Sequence, residues 1–201
     1  MAPAPLSAAP MGPPPAPEGR SSRASGEELI SDLFEAMSGL DFCDGSIDAA
    51  GFTLKLVMEK LACAAGVVHL YDIDRRELVV VEAAGAAATV LRRLRTADGD
   101  PLAAGAMRTH GTLIVGDAAG DARLSGRRWE LLRSALGSPI TSVACARVTR
   151  EGRFLGLIEV CNVAGSGHAG SFVAGDEHAL TYIADRFTEF VGTHGVVLDG
   201  A

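Results

Sequence analysis

Residues 142–162 read Ser-Val-Ala-Cys-Ala-Arg-Val-Thr-Arg-Glu-Gly-Arg-Phe-Leu-Gly-Leu-Ile-Glu-Val-Cys-Asn. Two apolar runs, Ser142–Val148 and Phe154–Cys161, flank Arg150-Glu151-Gly152-Arg153, a short polar segment with glycine, so the stretch predicts a β-hairpin. A second hairpin is predicted upstream, where Val67–Tyr71 and Leu78–Val81 flank Asp72-Ile73-Asp74-Arg75. Thr112–Val115 reads as a further strand. Hairpins at both ends of the sheet make it largely antiparallel.

Helices surround these strands. Ile30, Leu33, Met37 and Leu40 recur at spacings of three and four, with Ser25 placed to cap and Glu27 and Glu28 in the first turn. This predicts an amphipathic helix within residues 27–45. Gly45-Ser46 breaks the pattern, and Ser46 is expected to cap a second helix carrying Ile47, Ala50, Leu54, Val57 and Leu61. Asp100-Pro101 joins a capping carboxylate to a proline at the first helical position, predicting a helix over Leu102–His110 that ends at Gly111. Trp129–Leu136 reads as a short helix stopped by Gly137 and Pro139. The last helix spans about Asp176 to Val191, with Leu180, Ile183, Ala184, Phe187 and Val191 on one face. Five strands and five helices in this order give an α+β domain and not a βαβ nucleotide fold.

Composition narrows the function classes. The chain has 201 residues, 48% of them hydrophobic, and a net charge of −7. That suits one domain plus a tail and excludes a mostly disordered chain. It also argues against a nucleic-acid binder, which wants a basic face. No apolar run reaches the roughly 18 residues that span a bilayer, and no secretory signal is evident, so a cytoplasmic protein is expected. Seven of the nine prolines lie in residues 1–26, which read as a disordered Pro/Ala-rich tail. The domain is expected over 46–194, with a short tail at 195–201. Arg92, Arg93 and Arg95 read as a solvated edge or helix face. The four cysteines, Cys43, Cys63, Cys145 and Cys161, form no CxxC and no Cys/His set with zinc spacing. They read as reduced thiols, and no metal site is expected.

Four segments in order carry a family resemblance. Pro101–Gly111 (Pro-Leu-Ala-Ala-Gly-Ala-Met-Arg-Thr-His-Gly), Leu113–Leu124 with its Gly116-Asp117-Ala118-Ala119-Gly120-Asp121-Ala122-Arg123 loop, Phe154–Asn162, and Phe172 followed by Asp176-Glu177 resemble the motifs of GAF domains. The resemblance covers about residues 51–193. It implies a six-stranded antiparallel sheet with helices on both faces, and a small-molecule pocket between the sheet and the Leu102 and Trp129 helices. It also implies dimerisation through the terminal helices. Most members regulate by sensing cyclic nucleotides, bilins, haem or other metabolites; a few are enzymes.

The resemblance also allows a residue-by-residue test of ligand chemistry. Where cyclic-nucleotide-binding members carry a lysine after the asparagine, this chain has Val163 after Asn162, so Asp176 lacks that partner. Glu159 matches an acidic contact and Ala104 a small residue whose amide faces phosphate. Val67, Ala83, Ala84 and Ile140 stand where hydrogen-bonding or aromatic contacts can sit. Each such alkyl replacement leaves polar ligand atoms unpaired at about 1–3 kcal/mol, which disfavours a cyclic nucleotide. No cysteine precedes a histidine, as bilin attachment needs. His69 shares an alternating strand face with Val67 and Tyr71, read as either a core histidine or an inward ligand. His168 reads as exposed in a Gly-rich loop.

Asp117, Asp121 and Arg123 form a polar loop over the expected pocket mouth. Asp117 is read either as a turn-former or as a contact. Glu159 is a carboxylate within an apolar strand, sharing its face with Leu157 and Cys161. It either faces solvent or anchors something, because burying it unpaired is expensive. The expected ligand-binding set is therefore Glu159, Val67, His69, Tyr71, Ala83, Ala84, Ala104, Asp117, Leu136 and Ile140, with no cofactor identified. The resulting expectation is a non-enzymatic regulatory module. It binds an unidentified small molecule, forms a homodimer, and passes its signal through its terminal helices to a separate protein such as a kinase or regulator. The rival readings are a ligand-free dimerisation scaffold and a GAF-fold free methionine sulfoxide reductase. Two thiols in predicted strands disfavour the latter, since burial makes a thiol inert.

Overall fold

The computed structural model describes residues 26–61, 63–97, 99–163 and 171–198. The expected Pro-rich tail up to residue 25, the Ser25 cap, the loop around His168 and residues 199–201 lie outside the described residues. In chain order the elements are α1 (Gly26–Met37), α2 (Ser46–Lys60), β1 (Ala65–Asp72), β2 (Glu77–Gly85), β3 (Arg95–Ala97), α3 (Pro101–Arg108), β4 (Thr112–Val115), α4 (Arg127–Leu136), β5 (Ile140–Arg150), β6 (Arg153–Val163) and α5 (Ala174–His194). Short 3-10 segments cover Ser38–Phe42, Ala86–Thr89 and Ala122–Leu124.

The six strands form one sheet in the order β3-β2-β1-β6-β5-β4, and every neighbouring pair is antiparallel. The hairpin of residues 142–162 forms as its sequence predicts. Glu151 and Gly152 both take positive φ, 51° and 78°, as a two-residue turn matched to strand twist requires. Gly156 lies opposite Leu70, and Glu159 lies opposite both Val67 on β1 and Cys145 on β5.

Strand alternation divides the sheet into two faces. Val68, Leu70, Val79, Val81, Ala144, Ala146, Ile158 and Val160 pack with α1, α2 and α5 in one core. Leu33, Met37, Leu54, Val57, Leu180, Ile183 and Phe187 supply the helical half of that core and are all essentially inaccessible. Val67, Leu78, Val80, Ala83, Val143, Cys145, Leu157 and Cys161 face the other way, against Leu102 and Ala106 of α3 and Trp129 and Leu132 of α4. Helices thus cover both faces.

Three local expectations are corrected. β3 escapes the sequence reading because it has three residues and no apolar alternation. It pairs Arg95 with Val79 at the sheet edge, and Arg95 reaches Asp72 (3.6 Å) and Glu77 (3.5 Å) across that edge. Ser46 is the first residue of α2 and not its cap. Its hydroxyl donates to the Val197 carbonyl and accepts from the Val197 amide (3.1 and 3.0 Å), tying the C-terminal segment to α2. The first helix ends at Met37 and tightens to 3-10 geometry, where the Ser38 hydroxyl bonds the Glu35 carbonyl and Gly39 follows.

Candidate functional site

Asp100 caps α3 as its sequence predicts: one carboxylate oxygen accepts from the amides of Leu102 and Ala103, both at 3.0 Å. The other oxygen is 3.1 Å from Nη2 of Arg128, at the start of α4. The same guanidinium donates through Nη1 to Glu159 Oε2 on β6 and lies 3.2 Å from Nε2 of His69 on β1. His69 Nε2 is in turn 3.3 Å from Glu159 Oε2. The Trp129 ring completes the group, with the guanidinium carbon 4.9 Å from its centroid. Residues from four elements or their caps converge here, and His69, Arg128, Trp129 and Glu159 are each at least nine-tenths buried.

A carboxylate is expensive to bury, and the partners decide its state. Burial pushes the Glu159 carboxyl up, but the Arg128 guanidinium and the His69 imidazole more than offset it and hold the group below the usual carboxylate range. Burial lowers Arg128, and Glu159 and Asp100 outweigh that and hold it above its ordinary value. The ion pair is therefore charged. The cluster has one guanidinium for two carboxylates, and Asp100 also accepts from the N-terminal amides of α3.

Glu159 Oε1, Arg128 Nε, His69 Nδ1 and Trp129 Nε1 are buried atoms with no hydrogen-bond partner among the described residues. Native interiors pair nearly all such atoms, so four at one locus single this cluster out as the candidate site. Beside them is a cavity of about 10 Å³ lined by Val67, Trp129, Leu132, Glu159 and Cys161. It holds at most a single water. Between the sheet, α3 and α4, where the pocket is expected, the buried Arg128 guanidinium bonds Glu159 and Asp100.

The structure gathers only some of the residues expected at the site. Val67 and Glu159 line the cavity, and His69 joins the ion-pair cluster. Ala83, Leu136 and Ile140 lie on the same side of the sheet. Ala104 is half-buried on α3. Tyr71 shares that face but lies at the far end, 5.4 Å from the Phe154 ring. Both line a separate groove of about 720 Å³ between the hairpin tips and the end of α5. Ala84 falls on the opposite face, packed with the α1–α2–α5 core, because a strand alternates its side chains. Asp117 is exposed, and among the described residues its carboxylate accepts only from the Ala119 amide, at 3.3 Å. In the same loop Arg123 clamps Asp121 through Nε and Nη2, and that bond holds the Asp121 carboxyl down at about 2.

Arg128 was invisible to sequence reading. It stands 31 residues from Glu159, 28 from Asp100 and 59 from His69, so no local spacing links them. The available signal was Glu159 itself: a carboxylate in an apolar strand requires a basic partner somewhere.

The thiols nearest the site are Cys145, opposite Glu159, and Cys161, opposite Val143, diagonal neighbours on one face. Burial pushes Cys145 well up, and the Glu159 charge adds to it. Burial pushes Cys161 up to about 12. Among the described residues no group of three or more His, Cys, Asp or Glu side chains is arranged to hold a metal ion. No helix among them is long and apolar enough to cross a membrane.

Solved structures share this architecture. The GAF domain of a phosphoenolpyruvate-protein phosphotransferase from Coxiella burnetii superposes with a TM-score of 0.70 at 15% identity, over 85% of this chain and 96% of that one. A free methionine-R-sulfoxide reductase from Neisseria meningitidis, solved with its substrate, gives 0.66 at 18% identity, over 87% and 94%. The chromophore-binding domain of a bacteriophytochrome from R. palustris gives 0.61 at 15% identity, over 83% of this chain and 62% of that one. At these identities the likeness is one of fold. No curated protein sequence matches the chain. The GAF domain family model matches residues 48–189, most of the sheet and the helices on both its faces, and the chain belongs to the GAF domain family.

Proposed function

We propose that this GAF domain is a regulatory module that binds a small molecule between the sheet and α4 and passes the signal through α1 and α5 of a homodimer. The receiver is a separate protein such as a kinase or regulator, and the setting is the cytoplasm. The observation that carries the reading is the Glu159–Arg128–His69–Asp100 cluster with its four unpartnered buried atoms. A fold has no reason to retain so costly a group for packing alone, since apolar residues of similar volume serve stability as well or better. The expected ligand contacts are Glu159, His69 and Val67, joined by Arg128, Asp100 and Trp129. α1 packs on the core beside α5, and the segment after it exposes Phe42 at 86%, with Phe34 at 73% on α1, an apolar surface suited to a second copy.

The module is read as non-catalytic. Thiols held protonated by burial are poor nucleophiles, which argues against reductase chemistry at Cys145 or Cys161. A second reading, a ligand-free dimerisation scaffold, is favoured by the cavity of only about 10 Å³. Native mass spectrometry of the purified full chain, set against its denatured mass, separates the two. A dimer carrying extra mass that is lost on denaturation, and absent in Glu159→Gln, supports the sensor. A bare dimer supports the scaffold, and a bare monomer overturns the helix-to-helix output.

A further inference from the structure

The closed site already holds an occupant of definite chemistry, the guanidinium of Arg128. Its two terminal nitrogens serve two carboxylates at once, Nη1 on Glu159 and Nη2 on Asp100. A planar fork that reaches two acceptors in this way is the particular property of guanidinium and amidinium groups. The surroundings select for the same chemistry. Two carboxylates face one cation, an imidazole nitrogen lies 3.2 Å from it, and the Trp129 ring faces it at 4.9 Å.

Arg128 fills this cage imperfectly. Glu159 Oε1 remains an unpartnered acceptor, and Arg128 Nε remains an unpartnered donor. The helix that carries Arg128 is delimited by glycines with positive φ, Gly126 at 97° and Gly137 at 63°, and Gly126 caps it with no side-chain bond. Ser125, Gly126 and Arg127, immediately before Arg128 in the chain, are exposed.

We propose that the ligand of this site is a small organic cation with several N–H donors, of guanidinium or amidinium type. It takes Glu159 and Asp100 over from Arg128 and thereby releases α4. The inference rests on the sensor reading above and names its ligand class. A free guanidinium has an N–H to spare for Glu159 Oε1, which Arg128 leaves unpaired. An anionic ligand would meet two buried carboxylates, and a neutral one would leave them without a cation once Arg128 is displaced.

Trp129 is the only tryptophan of the chain and lies beside the guanidinium, so its emission reports on the site directly. The wild-type full chain is titrated at constant ionic strength with methylguanidinium and acetamidinium, and with methylurea and tetramethylammonium as the neutral and N–H-free controls. The expected result is a saturable change of Trp129 emission with the first two only, weakened about tenfold or more in Glu159→Gln. Arg128→Lys, checked for native circular dichroism, keeps the charge but loses the fork. As a poorer internal competitor it is expected to bind methylguanidinium about tenfold more tightly. Equal responses to the controls, or no saturable response of the wild type to either cation, overturn the proposal. If native mass spectrometry then finds an anionic or neutral molecule that Glu159→Gln loses, the sensor reading stands and only the ligand class fails. Bare chains remove both.

Discussion

The two faces of the sheet are buried by different means. Under α1, α2 and α5 the core is almost wholly apolar, and Phe187, Leu33, Leu54 and Leu180 are sealed within it. Under α3 and α4 a comparable apolar layer surrounds a charged cluster of Arg128, Glu159, Asp100 and His69. The first face is stabilised mainly by area removed from water. The second holds α4 by ion pairs whose strength depends on every partner being present. A domain that must keep its fold while changing one surface gains from this division. On the proposed reading, one face supplies the stability and the other an element that a ligand releases.

The largest expected effects test that division. Arg128→Met leaves Glu159 buried without its cation and should cost about 3–5 kcal/mol in chemical denaturation. The double variant Arg128→Met/Glu159→Leu removes both charges and should recover most of that loss. A single-variant cost below about 1 kcal/mol would mean that the pair is not desolvated. On the other face, Phe187→Ala should cost about 3–5 kcal/mol with no charge partner able to restore it. The contrast lies in reversibility: a second mutation rescues the α4 face and not the α5 face.

Acid sharpens the comparison next. Glu159 is held below the usual carboxylate range in the folded state, against about 4.3 in an unfolded chain. Its contribution is therefore fully present above the unfolded value and is lost as pH falls toward the folded one. Stability should decline as pH drops below about 4.5, and Glu159→Gln should flatten that part of the profile. Thermal melts of both proteins across pH 3–7 check it; parallel profiles would remove Glu159 as the cause.

A smaller difference is dynamic. The amides of α4 should exchange with deuterium faster than those of α5, because α4 is ten residues long between two positive-φ glycines while α5 runs 21 residues along the apolar core. Methylguanidinium should speed α4 further and leave α5 unchanged. Equal protection of the two helices would contradict a releasable α4.

The apolar face was the legible one. Ile30, Leu33, Met37 and Leu40, then Ala50, Leu54, Val57 and Leu61, then Leu180, Ile183 and Phe187 announce their helices because burial on one side imposes a period. The hairpins announce themselves through turn chemistry at Glu151-Gly152. β3 did not, since three residues held by Arg95 to Asp72 and Glu77 carry no apolar pattern. The site was half legible. Glu159 stood out because a carboxylate in an apolar strand needs explaining, and His69 because it alternates with Val67. Arg128 had no such contrast, being one arginine among several at the start of a helix. Ala84 was misplaced because one strand position decides the face.

Asp117 provides the smallest test and a direct comparison between two carboxylates that the sequence singled out. Its motif position singled it out as strongly as Glu159 was singled out. Yet it is exposed and among the described residues bonds only the Ala119 amide, whereas Glu159 is 4% exposed and bonds a guanidinium. A carboxylate in water loses little on removal, because solvent replaces its one weak partner. Asp117→Ala should therefore shift stability by no more than about 0.5 kcal/mol and leave the Trp129 emission and its methylguanidinium titration unchanged. A changed titration would bring the 116–124 loop to the mouth of the site and make its charge part of ligand recognition. An unchanged one confines recognition to the buried cluster, as the proposed site requires.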